Sequence, residues 1–117
     1  MSALTAEFEN DPNLVYRIDG FTVPEASREE FEGAMHRNLA FLETLPGFRG
    51  HLVFRKTSGP SALDVVTLAV WERGAAERAV AEVRAYYQRI GFDPAASMAR
   101  WRVRGELGNY EVERRAR

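Results

Sequence analysis

Asn38-Leu-Ala-Phe-Leu-Glu-Thr-Leu-Pro-Gly-Phe-Arg-Gly-His-Leu-Val-Phe-Arg-Lys56, followed closely by Val65-Val-Thr-Leu-Ala-Val-Trp-Glu72, sets the architecture of this chain. Its first part carries apolar residues at helical spacing up to Leu45-Pro46-Gly47, a helix stop. A strand begins at once and is expected over residues 48–57. Leu52 and Phe54 share one of its faces, and His51, Val53 and Arg55 the other. Ser58-Gly59-Pro60-Ser61 is turn chemistry. The next strand, over residues 63–72, alternates Asp64, Val66, Leu68 and Val70 with Leu63, Val65, Thr67, Ala69 and Trp71. Neither set suits water, so this strand is central and covered on both faces. One face calls for a helix layer. The other calls for a second copy of the chain.

Working outward, residues 14–23 read as a strand, with Leu14, Tyr16 and Ile18 on one side and Val15, Arg17 and Asp19 on the other. A helix follows, and Ser27 with Glu30 forms a capping box at its start. Phe31, Met35, Leu39 and Leu42 make its apolar stripe. Residues 75–90 form the second long helix, with Ala76, Ala79 or Val80, Val83, Tyr87 and Ile90 inward and Gly91 as its stop. Asp93-Pro94 predicts a short helix over residues 94–99. A last strand is expected over residues 100–113, with Trp101, Val103 and Leu107 inward and a bend at Gly105 and Gly108. The order is β-α-β-β-α-β: an α+β, ferredoxin-like arrangement with an antiparallel sheet and both long helices on one face.

The 117 residues are read as one domain, with residues 1–12 a loose lead-in and residues 114–117 a frayed basic tail. A net charge of −1 gives no field that would draw the chain to nucleic acid or anionic lipid. Cysteine is absent, which removes thiolate chemistry and fits a cytoplasmic protein. The N-terminal residues lack the basic and apolar regions of a signal peptide. No apolar run approaches the roughly 20 residues that span a bilayer, so no membrane association is expected.

This element order, with Trp71-Glu72 closing the central strand, resembles the antibiotic biosynthesis monooxygenase family. The resemblance covers nearly the whole chain and implies a dimeric α+β barrel, in which two sheets close on each other and the homodimer is the working unit. In the anthrone-oxidising members a Trp ends this strand, four residues after an Asn on the same face. The Trp is matched by Trp71, whereas Thr67 stands at the Asn position. The haem-degrading branch uses an Asn on the first strand, and a Trp and a His in the second helix. That helix contains neither Trp nor His here, so no haem and no other cofactor is expected.

The candidate catalytic residues are Trp71, His36, His51 and Thr67. Thr67, Ala69 and Trp71 share a strand face, as a pocket wall requires, although a large core residue closing the barrel end would look the same as Trp71. His36 and His51 are the only side chains with an unperturbed pKa near neutrality, and either suits a general base. Their plainer readings are a helix-boundary and a half-buried sheet residue. They form no metal motif, and no metal is expected. Tyr16, Phe31, Met35 and Tyr87 are the expected substrate pocket. The resulting expectation is a cofactor-independent monooxygenase acting on an electron-rich aromatic such as an anthrone, a hydroquinone or a polyketide-like phenol. A non-catalytic dimeric ligand-binding module and an isomerase on the same scaffold stand beside it.

Overall fold

The computed structural model describes residues 11–113. The expected lead-in falls almost wholly outside them, and the basic tail entirely so. Strand β1 (Leu14–Thr22) leads through a single 3-10 turn (Glu25–Ser27) into helix α1 (Arg28–Leu42). Strands β2 (Phe48–Arg55) and β3 (Val65–Glu72) follow. Two helical segments, α2 (Ala75–Arg78) and α3 (Val80–Ile90), then precede α4 (Pro94–Trp101) and β4 (Arg104–Tyr110). The four strands form one antiparallel sheet in the order β2-β3-β1-β4, which is the ferredoxin-like order. The central position expected for β3 is observed. It pairs with β1 through Ile18 opposite Leu68 and with β2 through Leu52 opposite Leu68.

Local chemistry explains most boundaries. Gly47 has φ +86, and a Cβ there would run into Ala75, so the turn between α1 and β2 needs glycine on two counts. The Gly47 carbonyl accepts from the Glu72 N–H at 2.8 Å, which ties this turn to the end of β3. Asp93 caps α4 by accepting from the Ala96 N–H at 3.1 Å, with Pro94 in the first turn. Gly91 ends α3 in the left-handed conformation, as expected.

Three expectations need correction. The capping box is not formed: the Ser27 hydroxyl instead donates to the Trp101 carbonyl at 2.9 Å, joining the start of α1 to the end of α4. The last strand does not begin at residue 100. Helix α4 runs to Trp101, Arg102 takes φ +59 as its left-handed cap, and Val103 leads into β4. Trp101 and Val103 are both buried, so a helix end followed by a turn reproduced the alternation of a strand. The second long helix is interrupted at Ala79; of the two alternatives Ala79 is the buried one and Val80 is exposed, while Ile90 is exposed rather than inward.

The interior holds three clusters, the smallest being Leu14 and Val70 with Tyr16 on the sheet face away from the helices. One gathers Val23, Phe31, Ala34, Val65, Trp101 and Val103 beneath α1 and α4. Another gathers Leu45, Ala69, Trp71, Ala75 and Ala79 at the opposite end of the sheet. Helix α3 buries no residue fully, because the space beneath it is a cavity rather than packed side chains.

Candidate functional site

The cavity lies between the helix-facing side of the sheet and the helices. Its wider chamber, about 700 Å³, is walled by Trp71, Ala69 and Thr67 of β3, Arg17 and Asp19 of β1, and Val83, Arg84 and Tyr87 of α3. A narrower chamber of about 300 Å³ is walled by Phe31 and Met35 of α1, Phe21 of β1, and Met98 and Trp101 of α4. Asp19, Thr67, Tyr87 and Phe92 line both, so they stand where the chambers meet. The wider chamber falls within the usual range for small-molecule sites, ~300–1,000 Å³, and the mixture of aromatic walls with a few polar groups is also usual.

Strand register puts the polar groups together. Asp19 lies opposite Thr67 on β3, and Arg17 opposite Asn109 on β4. All four line the wider chamber. The Arg17 Nε donates to Asp19 Oδ1 at 2.6 Å, and the Asp19 side chain is the more buried of the two, at 18% exposure against 39%. Tyr87 packs edge-on against Phe92 with centroids 5.2 Å apart. Burial, reinforced by Tyr86, raises its hydroxyl pKa above 10.0, against the opposing pull of Arg37 and Arg17. Tyr87 is therefore a neutral hydrogen-bond donor and acceptor at physiological pH.

Trp71 serves both readings given to it. It is 5% exposed within the second core cluster, its ring meets Phe48 edge-on at 5.0 Å, and it also forms part of the cavity wall. Thr67, Phe31, Met35 and Tyr87 line the cavity as well. Tyr16 does not. It occupies the opposite sheet face, opposite Val70 and Tyr110, and packs with Leu14 and Val70. Its place in the expected pocket is corrected on that register. His36 is exposed on α1 and outside the cavity lining. His51 is also outside the lining. Its Nδ1 lies 3.1 Å from a Glu43 carboxylate oxygen, without the alignment of a hydrogen bond, and its ring is 6.2 Å from that of Phe48. Among the described residues, no three His, Cys, Asp or Glu side chains converge as a metal-ligating set.

Arg17, Asp19 and Asn109 were not singled out from the sequence. The alternation of β1 did put Arg17 and Asp19 on one face, which was the available signal. What hid them was the apolar row of Leu14, Tyr16 and Ile18 on the other face, which looked like the inward side.

A four-stranded ferredoxin-like sheet over an aromatic cavity defines the class of protein. No family model matches the sequence, and no curated protein does. Solved structures do. An asparagine-to-alanine variant of SnoaB, a cofactor-independent oxygenase from Streptomyces nogalater, is 30% identical with a TM-score of 0.65, over 88% of this chain and 96% of that one. A dimeric ferredoxin-like protein from an uncultured marine organism is 11% identical, with a TM-score of 0.58 over 91% of this chain and 100% of that one. A heme-degrading protein from Mycobacterium tuberculosis is 19% identical, with a TM-score of 0.54 over 91% and 98%. The last two share the fold and establish nothing finer. The chain belongs to the antibiotic biosynthesis monooxygenase family of dimeric α+β barrel proteins.

Proposed function

We propose that this protein is a cofactor-independent monooxygenase that oxidises a small electron-rich aromatic, such as an anthrone, a hydroquinone or a polyketide-like phenol, with dioxygen. The observation that carries the proposal is a cavity of about 700 Å³ with Trp71, Thr67 and Tyr87 in its wall. It occurs in a chain 30% identical to a variant of SnoaB, a cofactor-independent oxygenase. Once deprotonated, such aromatics pass an electron to dioxygen directly, and the two radicals combine. For an anthrone the balance is CH₂ + O₂ → C=O + H₂O. The protein then has to bind the ring system and stabilise the oxyanion. Trp71, Phe31 and Phe92 supply flat apolar walls, and the Tyr87 and Thr67 hydroxyls supply donors to the substrate oxygen.

The working unit is a homodimer closed through the sheet face opposite the helices. Leu52 and Phe54 on that face are 39% and 48% exposed, and β1 turns half-buried Tyr16 and Ile18 the same way, beside Leu14, which is already buried against Val70. An apolar sheet face is a costly surface to leave in water, and a symmetric copy covers it.

The test is oxygen uptake by purified, metal-free protein with a panel of anthrones and hydroquinones, with heat-killed protein as control. Saturable uptake, with one oxygen atom entering the product from ¹⁸O₂, supports the reading. No uptake above the control across the panel refutes it. A non-catalytic ligand-binding module is the second reading, favoured by Thr67, which offers a hydroxyl where the resemblance implies an amide. It predicts saturable quenching of tryptophan fluorescence by the same compounds with no product. An isomerase forms product equally well under nitrogen.

A further inference from the structure

We propose that Asp19 is the general base of the cavity and that Arg17 positions its carboxylate. The substrate class, an aromatic with an acidic C–H or O–H, rests on the oxygenase reading above. The proton transfer itself does not need oxygen, so the two can fail separately.

Asp19 supplies the one carboxylate where the two chambers meet. Asp93 lines the wider chamber, but its side chain is engaged in capping α4. Among the described residues, the single hydrogen bond of the Asp19 carboxylate is the one Oδ1 accepts from Arg17 Nε at 2.6 Å. Oδ2 keeps its lone pairs. A guanidinium can satisfy both oxygens of a carboxylate through two parallel bonds, but here it engages one. With the side chain 18% exposed, Oδ2 stays open to the cavity, free to accept a proton or a hydrogen bond from a ligand there. The arrangement makes sense where a ligand supplies the missing donor. Thr67 lies directly opposite in register, and Tyr87 lines the same junction as a neutral hydroxyl. A base and two oxyanion donors therefore border one space. Both histidines lie outside it.

In the step itself, the substrate proton moves to Asp19 Oδ2. The bonding electron pair stays on the substrate as an enolate or phenolate, whose oxygen takes hydrogen bonds from Thr67 and Tyr87. With dioxygen present, the enolate is oxidised and oxygen is reduced to a bound peroxide. The proton held on Asp19 returns to the peroxide oxygen, and loss of water gives the ketone.

The experiment follows hydrogen–deuterium exchange of the methylene protons of unsubstituted anthrone in D₂O under nitrogen, read by NMR above the rate with heat-killed protein. Wild type exchanges, and Asp19→Asn lowers the enzymatic rate at least about 100-fold, the usual reach of a positioned base. KM stays within about threefold and Asp19→Glu restores part of the rate. Arg17→Gln, the variant to use if Asp19→Asn fails to fold, lowers kcat at least about fivefold with KM held. The charged groups around the site that shape any pH profile are Arg17, Arg84, Tyr87, Asp93 and, stacked on Phe92, Arg37. Exchange by Asp19→Asn within threefold of wild type overturns the assignment, as does a wild type with no exchange above the control. Exchange that depends on Asp19 in a protein that takes up no oxygen upholds the base and refutes the oxygenase.

Discussion

Trp71→Phe separates the core role of Trp71 from the substrate-wall role proposed for it. Trp71 is 5% exposed among Leu45, Ala69, Ala75 and Ala79, and it meets the Phe48 ring edge-on at 5.0 Å. Phenylalanine keeps an aromatic ring on that site but gives up the outer part of the indole. Truncating such a residue all the way to alanine costs ~3–5 kcal/mol, so the partial loss is about 1–2 kcal/mol. For a chain of this size, that lowers Tm by roughly 4–8 °C. The proposed catalytic effect is independent of this and rests on the place of Trp71 in the wall of the wider chamber. If the indole holds the substrate against Thr67 and Tyr87, turnover falls at least tenfold, or about 1.4 kcal/mol in the barrier. The assay is oxygen uptake with anthrone at a temperature at least ten degrees below both melting midpoints, so that unfolding does not contribute. A variant that melts lower but keeps kcat/KM within twofold of wild type shows a core residue only, and the substrate-wall argument fails.

Three further outcomes follow from the geometry. Burial makes Tyr87 ionise above pH 10.0 in a spectrophotometric alkaline titration, and Tyr87→Phe removes that high-pH fraction. With its folded pKa raised above 10.0, its contribution to stability is full below pH 10 and is lost as pH climbs through the folded value; a Tyr87→Phe protein that loses stability identically between pH 10 and 12 contradicts this. Gly47→Ala places a methyl group against Ala75 at φ +86 and is expected to cost at least ~1–3 kcal/mol by denaturant melt; a change under 0.5 kcal/mol refutes the double constraint on that turn. Phe54→Lys puts a charge on the open sheet face, where Phe54 is 48% exposed, and is expected to turn a dimer into a monomer in sedimentation at micromolar concentration; a wild type that already sediments as a monomer refutes the dimer.

The parts of the fold that could be read from sequence were those where pattern and environment agree. β3 is apolar in both registers and is central; Gly47 and Gly91 stop helices and have positive φ; Asp93-Pro94 opens α4. The misreading of β1 has one physical cause, which is that this chain places a cavity where a packed core would normally stand. In an ordinary sheet-and-helix layer, the apolar row of a strand turns toward the helices and the charged row toward water. In β1 the rows are reversed: Arg17 and Asp19 face the helices because they border the cavity, while Leu14, Tyr16 and Ile18 face away from them. A pattern rule that equates inward with apolar therefore assigns Tyr16 to the pocket and overlooks the ion pair. The same cavity lies beneath α3, whose Val83 and Tyr87 line it instead of being fully packed. The reversal on β1 carries information in both directions. On the proposed reading, charge on the helix-facing side is where a polar ligand group would be met, and the apolar row on the far side is where a second sheet would pack. A strand whose charged face looks toward its own helices thus bears on both proposals at once, the ligand site and the dimer.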